Sequence, residues 1–434
     1  MAKINMEVGK MRKGFKKIGL GLVAVGMCLA LLGSTAVPGR AAPAEEQRVV
    51  KIGMHAAFTG PWANIAANVC KGFIDYVTYQ SDEGLIHGVP LEVTWEDSGA
   101  SVSRTIVAHK RFVYQGAVLE MHWNSTPVDT LTPKFRADNM PVIYYGCYTP
   151  PMITEPLRWI FSINPGWKTV GWSLSKWAAD NLAVEGRPVR LGLIGYDNVS
   201  ARDGIEGHKI AQLRDINCEI VGVEWVSIAT IDTSTELLRL AAQKPDIIGL
   251  AASGCTLVVI AKDFVRLGLK EQGIKAATYL GSITGEGSIL EIGKDFEGFL
   301  CQFGWPVASE VDWDLPGEKI IREIAQRYRG MTPEKVWGDY ISGCMHAMVA
   351  VEGIRLAIEK VGLEDLTSSA VRDGLASIKD FDTGLIPPIT MSDKGPWYNP
   401  YVRMYVVQEG RFELLTDWEK TPWFLDYFEK QQGG

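Results

Sequence analysis

Short apolar segments of strand length alternate with longer amphipathic segments of helix length through most of this chain. That alternation restricts the fold more than any other feature. The first pair sets the pattern. Val49, Val50, Ile52 and Met54 form an apolar run that reads as a strand. Phe58-Thr59-Gly60-Pro61-Trp62-Ala63 then reads as a tight loop and helix start, with Thr59 as the cap and Pro61 in the first turn. Ile65, Val69, Phe73 and Val77 follow at four-residue spacing on one helical face. In an open α/β sheet, ligands bind beyond the carboxyl ends of the strands, where helices begin. Phe58, Thr59 and Trp62 therefore stand where a small molecule would be held.

The pattern then repeats. Strands are predicted at 90–95, 117–119 and 141–145, with a helix from 103 to about 115. A loop from Glu120 to Pro127 leads into another helix, and Gly146-Cys147-Tyr148 closes the fourth strand. Trp159 to Pro165 reads as a crossing strand. A second series starts over, with strands at 189–195, 220–226, 246–251 and near Tyr279. Its polar turns are Tyr196 to Asp203 and Ala252-Ser253-Gly254. Phe299 to Pro306 reads as a return crossing, followed by helices at 317–329, 337–361 and 371–378. Residues 401–415 form a hairpin around Glu409-Gly410. Two βα series joined by extended crossings mean an α/β protein of two similar lobes with parallel sheets.

The first 44 residues read differently. A basic front (Lys10, Arg12, Lys13, Lys16, Lys17) precedes an apolar run from Ile18 to Leu32, and Ala42-Pro43-Ala44 fits a small-x-small cleavage site. This is the pattern of a cleavable export signal, too short to span a membrane comfortably. Cys28 lies inside the apolar run behind Met27, which disfavours a lipid anchor. Nothing after residue 44 reads as a transmembrane span. Residues 1–44 carry seven Lys or Arg against one Glu, so the whole-chain charge of −7 becomes −13 without them. An acidic mature chain argues against nucleic acid and anionic membranes as partners. Six cysteines remain (70, 147, 218, 255, 301, 344), scattered without paired spacing, and most read as small buried residues. The six histidines show no i, i+4 pair and no clustering with cysteine, so no metal or other cofactor is expected. No G-x-S-x-G, H-E-x-x-H or G-x-x-x-x-G-K occurs, and an enzyme is not expected.

Thr59-Gly60-Pro61-Trp62-Ala63 resembles the first turn of the branched-chain amino-acid type of ABC-transporter solute-binding proteins, a type I periplasmic binding protein family. Tyr196-Asp197-Asn198 before Arg202-Asp203-Gly204, Asp232-Thr233-Ser234-Thr235-Glu236-Leu237 and Pro245-Asp246-Ile247-Ile248 resemble further family segments in the correct order. The likeness runs from about Val49 to Trp418. It implies two Rossmann-like lobes joined by a multi-strand hinge and closing on a solute. It also implies a periplasmic location and delivery to inner-membrane permease subunits, the protein being a monomer. The divisions expected are a signal at 1–44, lobe 1 at 45–163 and 304–382, and lobe 2 at 164–303 and 383–434.

The resemblance also implies site positions. The third-strand loop places Asn124 or Ser125 at the ligand, and the fourth places Gly146, Cys147 and Tyr148. Cys147-Tyr148 replaces a small residue and Thr of the amino-acid binders, and Ser200 and Ser253 replace two aromatics. The acidic partner of an amine belongs near 283–286, where Thr284 and Glu286 fall and only Glu286 could serve. These departures turn the reading away from branched-chain amino acids. Aromatic residues gather instead in the first lobe and its crossings: Phe58, Trp62, Trp123, Tyr145, Tyr148 and Trp305, with His122 beside Trp123. Aromatic faces stack on flat ligands, and helix N-termini beside Trp62, Asn124 and Tyr148 can hold a carboxylate. The expected ligand is an aromatic or other carboxylate. An aliphatic amino acid is the alternative, and a sensory ligand-binding module the alternative of a different class.

Overall fold

The computed structural model describes residues 48–421 apart from 61, 100, 147–157, 280–292, 308–312 and 392–398. The export signal therefore lies outside the described residues.

Five strands make the first sheet: β1 (Val50–Ala56), β2 (Leu91–Asp97), β3 (Leu119–His122), β4 (Val142–Tyr144) and β5 (Ile160–Phe161). They run in the order β2-β1-β3-β4-β5, every neighbouring pair parallel. Helices α1 (Ala63–Asp82), α2 (Val102–Tyr114) and α3 (Ser125–Ala137) connect them. β1, β3 and β4 are buried almost throughout, as a parallel sheet covered on both faces requires.

The second sheet is built from β6 (Val189–Tyr196), β7 (Cys218–Val226), β8 (Ile247–Ala251), β9 (Lys275–Thr278), β10 (Leu300–Phe303), β11 (Tyr401–Gln408), β12 (Arg411–Leu414) and β13 (Glu419–Lys420). The order is β12-β11-β10-β9-β8-β6-β7, with β13 also on β11. The parallel part ends at β10, and β11 and β12 add antiparallel strands. Their hairpin turns at Glu409 and Gly410, both at positive φ (51° and 73°), the conformation a tight two-residue turn demands. Helices α4 (Trp167–Asn181), α5 (Val199–Leu213), α6 (Ser234–Ala242) and α7 (Gly254–Arg266) belong to this series.

After β10 the chain returns to the first sheet's side with α8 (Pro316–Arg329), α9 (Gly338–Val361) and α10 (Ser368–Ala376). α9 lies backbone to backbone on α1. A Cβ on Gly72 would stand 2.2 Å from the Tyr340 carbonyl, and one on Gly343 would stand 2.1 Å from that of Val69. The 24 residues of α9 are long and apolar enough to cross a membrane, contrary to the sequence reading. Eighteen of them, from Gly338 to Ile358, are buried within the protein, so α9 serves as a core helix.

Several predicted boundaries move. The third strand lies at 119–122 rather than 117–119, which takes Glu120 and His122 out of the expected loop and into the sheet. Phe299 to Pro306 is not mainly a crossing, because Leu300–Phe303 pairs with β9 inside the second sheet. Only Ile160–Phe161 of the first crossing is a strand, at the edge of the first sheet. Cys70, Cys218, Cys301 and Cys344 are buried and free, whereas Cys255 is exposed.

Candidate functional site

A cavity of about 770 Å³, including its open mouth, lies where strand ends and helix starts of both sheets meet. From the first lobe come Trp62, Ile65, Trp123, Asn124, Ser125, Thr126, Tyr144, Tyr145 and Gly146. The second lobe supplies Trp167, Tyr196, Asn198, Ser200, Ile228 and Ser253, and the crossings supply Asn164 and Trp305. Among the described residues none that lines it is charged.

The aromatic wall is built in layers. Trp123 and Tyr145 lie nearly parallel, 10° apart with centroids at 6.3 Å. Trp62 stands 5.9 Å from Trp123, and Trp305 stands 6.0 Å from Tyr145. Behind Tyr145, 5.3 Å away, is the ring of His346, which burial holds neutral with its pKa lowered to about 4. Trp123 Nε1, Trp305 Nε1 and Asn164 Oδ1 are buried with no hydrogen-bond partner among the described residues. Two donors and one acceptor are thus unspent beside the cavity, and unpaired buried polar atoms of this kind are costly. Asn164 is held in place by donating its Nδ2 hydrogen to the Tyr145 carbonyl.

The polar rim consists of helix starts. Trp62, Asn124, Asn198 and Ser253 are the N-cap residues of α1, α3, α5 and α7. Asn124 Oδ1 accepts from Thr126 N–H at 3.0 Å, and Asn198 Oδ1 accepts from Ala201 N–H at 2.8 Å. Trp62 and Ser253 make no such cap; the Ser253 hydroxyl instead pairs with the Tyr196 hydroxyl at 3.0 Å. Helix N-termini carry a partial positive charge and favour anions. A cavity whose described lining is uncharged, rimmed by them, can hold a carboxylate at the rim and a flat apolar body against the indoles.

The residues expected from sequence divide into three groups. Trp62, Trp123, Asn124, Ser125, Tyr145, Gly146, Ser200, Ser253 and Trp305 all line the cavity. Phe58, Thr59 and His122 do not. Phe58 packs edge-on against Trp95 at 5.0 Å, and Thr59 is exposed rather than capping α1. His122 is the last residue of β3, buried and turned inward. Cys147, Tyr148, Thr284 and Glu286 lie outside the described residues. Sequence reasoning missed Trp167, Asn164, Tyr196 and Asn198. Asn198 was findable: an Asn before a helix, at the end of a strand, is an N-cap signal.

His55, Glu120 and His122 gather close enough to suggest a metal centre. Both imidazole Nε2 atoms meet one carboxylate oxygen, at 2.8 and 2.9 Å, and the two rings stack with centroids at 3.7 Å. Donor atoms of a tetrahedral zinc with ligands near 2.0–2.1 Å sit roughly 3.3 Å apart, on rings that diverge. The arrangement fits protons shared with the carboxylate, not an ion.

The chain belongs to the periplasmic binding protein family, whose model matches residues 49–410. No curated protein matches it by sequence. Among solved structures it is similar to a branched-chain amino-acid ABC transporter from Thermus thermophilus with bound valine. That match has a TM-score of 0.77 at 21% identity, over 89% of this chain and 100% of that one. A solute-binding protein of an ABC transporter from R. palustris, in complex with 4-hydroxybenzoate, gives 0.73 at 17% identity, over 87% and 99%. A fatty-acid ABC transporter substrate-binding protein from Thermomonospora curvata gives 0.72 at 16% identity, over 86% and 92%. At these identities the likenesses establish the fold.

Proposed function

We propose that this protein is the exported solute-binding component of an ABC uptake transporter. Its lobes, 45–163 with 304–382 and 164–303 with 383–434, close on a small aromatic carboxylate and present it to inner-membrane permease subunits. The cleavable signal over 1–44 directs it to the periplasm. One observation carries the ligand class: the described lining of the cavity is aromatic and uncharged, and helix N-termini rim it. A carboxylate gains from the helix ends, and a ring gains from Trp62, Trp123 and Tyr145. The unpaired Trp123 and Trp305 N–H groups and the Asn164 carbonyl oxygen would suit a ring hydroxyl, which both accepts and donates. The 4-hydroxybenzoate held by the R. palustris protein is a ligand of this chemistry.

An aliphatic amino acid is the second reading, favoured by the valine held by the Thermus thermophilus protein. Its ammonium group needs an acidic or carbonyl partner, and no described lining residue is acidic. Glu286, outside the described residues, is the carboxylate to test. The experiment is a thermal-shift and calorimetry panel of 4-hydroxybenzoate, benzoate, 3-phenylpropanoate, leucine and valine. A ligand at 100 times its Kd adds about 2.7 kcal/mol of stability. A melting point raised by several degrees with the aromatic acids, and unmoved by leucine and valine, is expected. The reverse pattern would install the amino-acid reading.

A further inference from the structure

Three of the six histidines surround one buried carboxylate directly behind the first lobe's wall of the cavity. Glu120 Oε2 accepts from His55 Nε2 at 2.8 Å and from His122 Nε2 at 2.9 Å, and Oε1 accepts from His109 Nδ1 at 2.7 Å. His109 Nε2 then donates to Asp138 Oδ2 at 2.8 Å, which Lys134 also reaches at 2.5 Å. The groups come from every element packed here: His55 from β1, Glu120 and His122 from β3, His109 from α2, and Lys134 from α3, with Asp138 just after it. The rings of Phe112 and Phe135 close the cluster edge-on.

The protonation states follow from the bonds. A carboxylate only accepts, so each imidazole nitrogen facing one carries a proton. Burial disfavours charge on Glu120, yet three histidine hydrogen bonds outweigh it and hold the acid well below its ordinary range. Burial likewise pushes His109 down, but Glu120 and Asp138 outweigh it and raise its pKa. His109 is thus the imidazolium that donates at both ends. His122, desolvated and stacked on His55, is lowered to about 3 and stays neutral. Glu120 and Asp138 are balanced by His109 and Lys134.

The cluster touches the cavity wall at two points. His122 ends β3, and the next two residues are Trp123 and Asn124. The His122 carbonyl accepts from Tyr145 N–H at 2.9 Å, the bond that brings Tyr145 alongside Trp123. His55 and His122 are register partners across β1 and β3. An apolar core would bury these strand ends without desolvating a carboxylate. An ionised carboxylate that takes three histidine hydrogen bonds instead favours one arrangement of its neighbours.

We propose that Glu120 is a positioning residue for the ligand cavity: through His55, His109 and His122 it sets the place of Trp123, Asn124 and Tyr145. This rests on the cavity being the ligand site. The test is Glu120→Gln, which keeps the shape but turns donors toward histidine protons. Without ligand, amide exchange over 119–126 and 142–146 is expected to quicken at least tenfold, while exchange over β8 is unchanged. His109, followed by NMR, loses its raised pKa. The affinity of any aromatic acid that binds the wild type falls at least tenfold, and Glu120→Asp restores part of it. Unchanged exchange in both segments, or equal acceleration in β8, overturns the proposal. If 4-hydroxybenzoate and benzoate do not bind the wild type, the ligand reading fails, and the exchange comparison still decides the positioning role. Should Glu120→Gln fail to fold, His109→Gln severs one arm of the network. It must quicken the same two segments, and unchanged exchange there overturns the proposal equally.

Discussion

Behind the first lobe's wall Glu120 is ionised among three histidines, whereas behind the second lobe's wall His208 is neutral. His208 pairs with the Ser175 hydroxyl at 2.7 Å and with the Tyr279 hydroxyl, and burial lowers its pKa to about 3. Tyr279 in turn lies 5.6 Å from Trp167, which lines the cavity. A buried ion pair close by, Lys168 with Asp203 at 2.9 Å, joins α4 to α5. Both lobes thus support an aromatic cavity residue from a buried neutral histidine, in the first lobe one bonded to an ionised carboxylate and in the second one bonded to hydroxyls. Charge-assisted bonds are roughly twice as strong as neutral ones, but losing one partner strands a buried charge. The first lobe is consequently more specified and more brittle.

The comparison can be broken first at the ligand itself. Trp123→Ala should weaken binding of an aromatic acid about 100-fold, since a buried indole contributes roughly 3 kcal/mol of area and stacking. Ser200→Ala, on the opposite wall, should change it by no more than a few-fold. Equal losses measured by calorimetry would mean that the walls share the ligand evenly.

Acid should separate the lobes next. An unfolded histidine takes a proton near 6.5, whereas His122 and His208 stay neutral to about 3 and His346 to about 4. The unfolded state therefore binds more protons, and stability falls as pH drops from 6.5 towards 4. Glu120 acts in the same direction: its folded pKa is depressed, so its contribution is present above 4.5 and lost as pH falls through the folded value. His109 opposes them. Its raised pKa gives stability that is full below 6.5 and lost as pH rises through the folded value. His208→Gln should remove one proton from the acid slope, about 1.4 kcal/mol per pH unit in urea titrations between pH 6 and 4. A slope unchanged by this substitution would contradict a neutral His208.

The smaller effects sharpen the picture. Trp305→Phe keeps most of the buried ring and removes one unpaired donor. It should cost a hydroxylated aromatic acid three- to tenfold in affinity and leave benzoate nearly unaffected, as read by competition. Among the described residues, Ser253→Ala breaks one side-chain bond, that to Tyr196. A two- to threefold loss is expected, because such a half-exposed neutral bond contributes about 1 kcal/mol or less.

The architecture was legible because hydrophobic period is a local property. β1, β6 and β8 are apolar runs that needed no tertiary knowledge to find. The positions of Trp62, Asn124 and Tyr145 at the cavity followed from strand-end logic and the family likeness. The histidine cluster was not legible. His55, His109 and Glu120 are separated by 65 and 11 residues along their hydrogen-bonded links, and it takes the register of β1 on β3 and the packing of α2 to bring them together. The third-strand boundary failed for the same reason. Glu120 and His122 look like loop residues until their buried partners are known. Thr59 was misread because α1 begins four residues later, at Ala63, with Trp62 in the N-cap position and no side-chain cap.

The four helix starts at the rim have a further consequence. α1 and α3 approach from one lobe, and α5 and α7 from the other. Each presents its positive end to the same space. With the cavity empty, like poles face one another across it, and bringing the lobes together works against that repulsion. A bound anion reverses the sign of every one of these terms at once. On the proposed reading the solute's carboxylate is the counter-ion to these four helix ends, and its charge as well as its shape favours closing the lobes.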